Sequence, residues 1–200
     1  MEPSYLDIRR FRSEVPHNFS EYPTVVGRDK LIAQRLGQCH SVLEIGSGDR
    51  PFFSGAVPHT YRLMDVDRSL SIDFYSIEEV CGTYDAVLMR EVVEHLPREL
   101  FYRYLEKIFS ILNWGGALIL TTPNTWSPGW MLSDYSHVSP WPMHDMYGVL
   151  RCHGFSSVEI YRILWPSRAL WLKRLYWAVH SKFYALDHAG SYVAVATKME

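Results

Sequence analysis

The sequence predicts an α/β fold in which helices cover both faces of a mostly parallel, doubly wound sheet. Short apolar runs alternate along the chain with segments of helical periodicity, which is the pattern of βαβ units. The first run, Ser41–Ile45, leads directly into a glycine-containing turn, a feature of strands that end beside a ligand. With 200 residues, 48% of them hydrophobic, the chain is long enough to form a single domain, residues 1–200.

Seven strands are predicted, of which the third has the weakest pattern. They are Ser41–Ile45, Tyr61–Met64, Ser71–Phe74, Tyr84–Met89, Ala117–Thr121, Val158–Ile163 and Tyr192–Thr197. The predicted helices are Val25–Leu36 (apolar side Val26, Leu31 and Leu36), a short Pro51–Val57, Glu99–Leu112, and Met143–His153, which Gly154 ends. Residues 1–24 are expected to be an irregular N-terminal extension.

Composition excludes several classes of protein. A net charge of −2 and a pI of about 6.5 provide no positive field for nucleic acid or an anionic membrane surface. The three cysteines are widely spaced, which argues against disulfides and thiolate zinc sites and favours a cytoplasmic location. We find no signal sequence, and no apolar run of the roughly 18 residues that a membrane span needs.

The turn after the first strand is the best candidate for a binding site. Gly46 and Gly48 flank Ser47, and glycines without Cβ atoms let the backbone approach a ligand closely. Glu44 lies within the apolar strand, where a buried carboxylate requires partners. Asp65 follows the second strand, and a carboxylate there is suited to accept hydrogen bonds from a ribose diol.

Several segments in this order resemble the class I S-adenosylmethionine-dependent methyltransferases, which have a Rossmann-like fold. The resemblance covers roughly residues 25–197. It implies seven strands in the order 3-2-1-4-5-7-6, with the seventh antiparallel to the others. The segments are Val-Leu-Glu-Ile-Gly-Ser-Gly (42–48), Arg-Leu-Met-Asp (62–65), Tyr-Asp-Ala-Val-Leu-Met-Arg-Glu-Val-Val-Glu-His-Leu (84–96), Trp-Gly-Gly-Ala-Leu-Ile-Leu-Thr-Thr-Pro-Asn (114–124) and Gly-Phe-Ser-Ser-Val (154–158).

The resemblance implies S-adenosylmethionine as cofactor and S-adenosylhomocysteine as product. Glu44 would lie near the methionine end of the cofactor, and Asp65, with Asp67 as the competing residue, would bind the ribose. Asp73 and Phe74 would contact adenine, unless they are a turn acid and a core ring. The full set of expected cofactor-binding residues is Glu44, Gly46, Ser47, Gly48, Asp65, Asp73, Phe74, Arg90 and Glu91.

One residue departs from the family pattern. Arg50, followed by Pro51, stands where the family often has a third glycine. Because that glycine allows close packing at the first helix, the departure weakens the prediction of tight cofactor binding. It leaves open a catalytically idle domain that acts as a partner subunit.

His137 and His95 are the candidate catalytic residues, since an imidazole can take a proton from an acceptor near neutral pH. The alternatives are a loop-anchoring role for His137 and a structural role at a helix start for His95. Together with Glu91 and Glu94 they also resemble the metal site of small-RNA 3′-terminal ribose methyltransferases, which would make the protein a metal-assisted RNA 2′-O-methyltransferase. For this mildly acidic chain we expect neither a bound metal nor a nucleic-acid partner.

An aromatic insertion, residues 164–190, separates the last two predicted strands. Its apolar stripe, residues 165–184, carries a basic flank, and we expect it to pack on the sheet, to form a homodimer, to contact a membrane peripherally or to cover the substrate. The loop from Trp126 to Trp141 is expected to form a wall of the acceptor pocket. The sequence thus predicts a methyltransferase that acts on an oxygen or nitrogen of a small-molecule, lipid-linked or glycan-type acceptor.

Overall fold

A seven-stranded sheet forms the centre of the protein, whose computed structural model describes residues 3–53, 58–164, 176, 179–181 and 183–199. The strands are β1 (Thr24–Val26), β2 (Ser41–Ile45), β3 (Thr60–Met64), β4 (Tyr84–Arg90), β5 (Leu112–Pro123), β6 (Ser157–Leu164) and β7 (Ser191–Thr197). The helices are α1 (Tyr5–Phe11), α2 (Arg28–Leu36), α3 (Arg98–Ile111), α4 (Pro128–Met131) and α5 (Met143–Cys152).

The strands lie side by side in the order β1-β6-β7-β5-β4-β2-β3. Neighbouring strands are parallel, except that β7 runs antiparallel to both β5 and β6. The predicted fold class and the antiparallel seventh strand are therefore confirmed. Because β2, β3, β4 and β5 are parallel, the residues that follow them meet at one edge of the sheet, where ligands of such folds bind.

The two outer strands differ from the prediction. Residues 71–74 form no strand, and only a single bridge joins Phe74 to Met64. The backbone N–H groups of Asp73 and Phe74 both donate to the carbonyl of Leu63, so the segment touches β3 at one point without running along it. The seventh strand is instead β1, which pairs with β6 at the opposite edge.

The N-terminal region is more ordered than predicted. Helix α2 begins at Arg28 rather than at Val25, because the β-branched residues of β1 pair with β6 and Gly27, at φ +86°, turns the chain between them. Val26 is accordingly 56% exposed instead of buried. Helix α1 lies within the expected irregular extension; Ser4 and Asp7 form its capping box, and it packs against α5.

Helices α3 and α5 cover one face of the sheet with apolar side chains, and α2 packs on the other face. Most of the insertion 164–190 lies outside the described residues. Of the predicted helix Pro51–Val57, residues 51–53 are not helical and the rest is not described. Within the described parts of the chain, no helix has the length and apolar character needed to cross a bilayer.

Candidate functional site

The turn after β2 has the geometry of a ligand cradle. Gly46 and Gly48 adopt φ values of +72° and +54°, which side chains other than glycine rarely tolerate. A Cβ atom on Gly46 would lie 2.3 Å from Cγ2 of Val92, whereas the space above Gly48 is open. Between them, the Ser47 hydroxyl oxygen is buried and has no hydrogen-bond partner in the described structure. An open backbone turn beside an unpartnered hydroxyl fits a polar ligand such as the predicted cofactor.

Asp65 faces this turn from the end of β3. Its Oδ2 accepts a hydrogen bond of 2.9 Å from the Gly48 N–H, and its Oδ1 accepts one of 3.0 Å from the Asp67 N–H. Each carboxylate oxygen keeps a second lone pair for a ligand hydroxyl. Asp67, the competing residue, uses its own carboxylate to accept from Ser69 and is exposed.

A cleft of about 260 Å³ opens between β2, β3 and β4. Four of the predicted residues line it: Gly46, Asp65, Glu91 and His95. Sequence analysis did not identify the apolar lining, which consists of Ile45, Met64, Val66, Val92, Leu96 and Tyr104. Among these residues, Val66 could be identified from the sequence, because it is an apolar residue directly after the acid that ends a strand. In the structure it is 71% exposed.

Glu44 is completely buried, and the protein itself satisfies its carboxylate. Oε1 accepts hydrogen bonds from Nε and Nη2 of Arg90 at 2.9 and 2.7 Å, and Oε2 accepts from the Phe52 N–H at 2.8 Å and from the Tyr61 hydroxyl. Burial and the Glu44 carboxylate raise the pKa of Tyr61. The two predicted cofactor-binding residues Glu44 and Arg90 therefore bind each other, and they hold the segment after the glycine turn.

Arg50 is accommodated without a glycine. Its φ is not positive, its side chain is 91% exposed, and its carbonyl accepts a 2.7 Å hydrogen bond from Nη2 of Arg90. Nothing in the described structure requires a third glycine here. The departure from the family pattern thus leaves the cradle itself intact.

Asp73 and Phe74 lie at the outer edge of the sheet. The Asp73 carboxylate accepts from the Leu63 N–H at 2.8 Å and from Nη1 of Arg62 at 2.6 Å. Phe74 packs partly against the core, and its carbonyl accepts from the Asp65 N–H. Both residues brace the end of β3, and their contact with adenine stays a prediction.

Glu91 lies directly after β4 and has a φ of +52°. It is one of two non-glycine residues with positive φ in the described part of the chain. Such a conformation is strained and is often found at functional sites. Its Oε1 accepts hydrogen bonds from Thr121 Oγ1 at 2.7 Å and from Nη1 of Arg28 at 3.0 Å. The strained backbone thus directs the carboxylate toward β5 and α2, at the border of the cleft.

Glu94, His95 and His137 come together next to the cleft, with ligand atoms within 4.8 Å of one another. The Glu94 carbonyl accepts from the backbone N–H groups of Val138 and Ser139, at 2.9 and 3.0 Å, which brings the loop carrying His137 against the turn carrying His95. The two imidazole rings have centroids 4.8 Å apart. Burial and the neighbouring Glu91 carboxylate raise the pKa of Glu94 to about 8.

The loop from Trp126 to Trp141 carries His137 and packs against the turn that carries His95, and its role as a wall of the acceptor pocket stays a prediction. Trp141 is buried, donates to the Val93 carbonyl and contacts Phe101, while Trp126 packs against Phe19. The middle of the loop exposes large apolar side chains, namely Trp130, Leu132, Tyr135 and Val138.

Comparisons with known proteins agree with this geometry. A family model described as "Methyltransferase domain" matches residues 11–166. A search of curated proteins found no significant match. A solved S-adenosylmethionine-dependent methyltransferase from Archaeoglobus fulgidus has a TM-score of 0.61 at 18% identity and covers 86% of this chain and 95% of its own.

Two further solved structures are similar in fold. The N-methyltransferase NodS from Bradyrhizobium japonicum has a TM-score of 0.57 at 14% identity, with 86% of this chain and 93% of that one covered. An O-methyltransferase family protein from Burkholderia thailandensis has a TM-score of 0.54 at 12% identity, with 86% and 55% covered. Fold similarity therefore does not distinguish oxygen from nitrogen acceptors. The chain belongs to the methyltransferase domain family, and it has the class I Rossmann-like fold that its sequence predicts.

Proposed function

We propose that this protein transfers a methyl group from S-adenosylmethionine to an oxygen or nitrogen of a small-molecule, lipid-linked or glycan-type acceptor. The observation that carries the proposal is the position of His95 and His137 beside the cleft that Gly46 and Asp65 line. When bound, the cofactor supplies an electrophilic methyl group on a sulfonium and leaves as S-adenosylhomocysteine. The acceptor would lie between this group and the two histidines.

The cradle residues would hold the cofactor. The backbone at Gly46 and Gly48 and the unpartnered hydroxyl of Ser47 would bind its amino-acid portion, and Asp65 would accept hydrogen bonds from its ribose hydroxyls. Val66 would pack against the adenine ring. Glu44 and Arg90 would act by positioning the turn, since their polar groups already bind each other.

Alignment is the main requirement of the transfer, because the acceptor atom must approach the methyl carbon opposite the sulfur. His95 or His137 would remove the proton of a hydroxyl or ammonium acceptor, at an Nε2 atom that has no hydrogen-bond partner in the described structure. The exposed apolar side chains of the loop Trp126–Trp141 favour an acceptor with an apolar or ring-containing portion.

The aromatic insertion would contact a membrane peripherally and so bring the protein to such acceptors. Alternatively, it would form the interface of a homodimer. Its described residues Tyr176, Val179, Phe183 and Tyr184 are exposed in the single chain. A cytoplasmic location is consistent with Cys39, Cys81 and Cys152, none of which forms a disulfide.

Calorimetry with S-adenosylmethionine and S-adenosylhomocysteine tests the proposal, followed by transfer of a radiolabelled methyl group to candidate acceptors. We expect Asp65→Asn to weaken binding of both ligands by about tenfold, because a ribose contact is worth on the order of 1 kcal/mol. Asp67→Asn is the matched control and is expected to change affinity less than twofold. Absence of binding at millimolar cofactor would refute the enzyme and leave the idle partner subunit.

A further inference from the structure

Residues 164–186 of the aromatic insertion differ in charge from the rest of the chain. They contain Arg168, Lys173, Arg174 and Lys182 and no Asp or Glu, which gives them a charge of +4 with His neutral. The other residues carry the remaining 16 of the 20 basic side chains and all 22 acidic ones, a net charge of −6. The net charge of −2 conceals this difference, so the expectation of no positive field for an anionic membrane is wrong for this segment.

The same segment is rich in residue types that accumulate where a membrane meets water. Trp165, Trp171 and Trp177 are three of the seven tryptophans of the chain, and Tyr176 and Tyr184 belong to the segment as well. Both residue types combine an apolar ring with a polar N–H or O–H group, which suits the boundary between acyl chains and headgroups. Together with the basic side chains, this composition is typical of a segment that lies on an anionic bilayer.

The end of this segment exposes an apolar stripe. Its described residues up to Tyr184 are helical. Tyr176, Val179 and Phe183 are spaced by three and four positions, so they lie on one helix face, and all three are exposed. His180 lies on the same face, with its ring centroid 3.8 Å from that of Tyr176 and 5.5 Å from that of Tyr184. The apolar face of this helix is therefore turned to solvent, whereas a helix packed on its own sheet would bury it.

A second group of exposed apolar side chains lies beside this helix, on the loop from Trp126 to Trp141. The group consists of Trp130, Leu132, Tyr135 and Val138. The end of β5, from which the loop starts, pairs with the start of β7, at which the insertion ends. The Trp126 carbonyl accepts a 2.8 Å hydrogen bond from the Asp187 N–H, and the Trp130 indole lies against Gly190. The loop and the insertion thus emerge side by side, at the edge of the sheet where the cleft opens.

We propose that the exposed apolar side chains of this loop and this helix form one surface that docks on a bilayer containing anionic phospholipids. The apolar side chains would enter the boundary between headgroups and acyl chains, and the basic side chains of residues 164–186 would attract the lipid phosphates. A second copy of this chain fits the surface less well. In a symmetric dimer the same patch faces itself, so two basic segments would repel each other.

Only the choice of acceptor rests on the proposed function, since docking itself requires neither cofactor nor methyl transfer. His137 belongs to the docking loop, and its ring centroid lies 4.8 Å from that of His95 beside the cleft. Docking of this loop would bring the candidate acceptor site to the bilayer surface. Among the three proposed classes of acceptor, this favours one that is linked to lipid.

Cosedimentation of the full-length protein with vesicles tests the surface without cofactor or acceptor. The vesicles contain phosphatidylcholine alone or an equal mixture of phosphatidylcholine and phosphatidylglycerol. We expect binding to the mixed vesicles to be at least about tenfold tighter. Most of this difference should disappear at about 1 M salt, which screens charges that are more than about 3 Å apart.

A first pair of variants tests the basic side chains. Lys173→Gln/Arg174→Gln should weaken binding to the mixed vesicles at least about tenfold, because it removes half of the positive charge of residues 164–186. The matched control is Arg9→Gln/Arg10→Gln, which removes two adjacent, exposed basic residues of α1. It should change the affinity less than about twofold.

A second pair of variants tests the apolar side chains. Leu132→Ser/Phe183→Ser removes one aliphatic and one aromatic side chain of the proposed surface and should weaken vesicle binding at least about tenfold. Tyr5→Ser/Leu6→Ser removes a similarly exposed aromatic and aliphatic pair from α1 and should change the affinity less than about twofold. Retained far-ultraviolet circular dichroism shows that each variant is folded.

Equal binding to the two kinds of vesicle overturns the inference, as does the absence of saturable binding or unchanged binding in both surface variants. Self-association in sedimentation velocity that Leu132→Ser/Phe183→Ser abolishes also overturns it, because a second copy would then cover the surface. Calorimetry with S-adenosylmethionine separates the two proposals. Cofactor binding without vesicle binding contradicts the membrane surface alone, and vesicle binding without cofactor binding contradicts the proposed function alone.

Discussion

Two polar clusters lie at the same edge of the sheet and differ in whether their hydrogen bonds are complete. Around Glu44, both carboxylate oxygens accept hydrogen bonds from Arg90, Phe52 and Tyr61. Around Glu94, one carboxylate oxygen and two imidazole Nε2 atoms have no donor among the described residues. Each cluster contains a glutamate that is 0% exposed, so burial does not explain the difference.

The polar groups around Glu44 are therefore structural, whereas those around Glu94 are available to react. A fully satisfied buried network contributes to stability and fixes the position of the chain, whereas converging unpaired acceptors provide a site for a proton, a cation or a substrate. The Glu44 network therefore holds the glycine turn, where we propose that the cofactor binds, and the Glu94 cluster is where we propose the acceptor chemistry.

The largest effect is expected when the hydrogen-bond network around Glu44 is broken. Arg90→Met should lower the free energy of unfolding by about 3 kcal/mol, because it leaves the buried Glu44 carboxylate without its charged partner. Urea denaturation measures this change. Arg62→Met, which removes the partly exposed Arg62–Asp73 pair, is the control and should cost less than about 1 kcal/mol. Equal losses in the two variants would show that the Glu44 network has no special structural role.

The second prediction concerns the cluster of Glu94, His95 and His137. Glu94→Gln should change the free energy of unfolding by less than about 1 kcal/mol, since Oε1 makes no hydrogen bond that the substitution removes. Methyl transfer should nevertheless fall about 100-fold, measured with the acceptor identified in the radiolabel assay, because the amide cannot exchange a proton with the neighbouring His95 and His137. A loss of stability as large as that of Arg90→Met would make Glu94 a structural residue.

The smallest effect is expected at Arg50. Arg50→Gly should leave the affinity for S-adenosylmethionine within twofold, because Arg50 already has negative φ and its side chain points into solvent. Stability should fall by less than about 1 kcal/mol through the greater freedom of the unfolded chain. Calorimetry and urea denaturation measure the two quantities. Markedly tighter cofactor binding would show that the missing glycine does limit the cradle.

Local sequence predicts much of the sheet and several residues of the candidate cleft. β2, β3, β4, β6 and β7 lie within one residue of their predicted bounds, because each contains a short run of β-branched, aromatic or other apolar residues that is typical of a strand. The prediction is wrong for β1, which overlaps the predicted helix Val25–Leu36, and for residues 71–74, which form no strand. The three-residue strand β1 is defined by its pairing with β6, which depends on distant residues that periodicity does not identify.

The residues of the candidate site likewise divide into those that local sequence identifies and those that it does not. Gly46, Gly48 and Asp65 are candidates that the sequence identifies, because a turn and a strand end determine their positions locally. The lining residues Val92 and Tyr104 were missed, since an apolar side chain beside a cleft has the same pattern as one in the core.

The sequence by itself determined the fold class, the glycine turn and the acid at the end of the second strand, because each depends on residues close together in the chain. Only the tertiary structure decided that Arg90, Phe52 and Tyr61 satisfy Glu44, whereas Glu94, His95 and His137 each keep an atom without a partner among the residues that the structure describes. Their partners lie as far away as Arg90, Thr122 and Met131. Whether a buried polar atom is paired depends on the three-dimensional positions of all its neighbours, and residue type alone does not specify it.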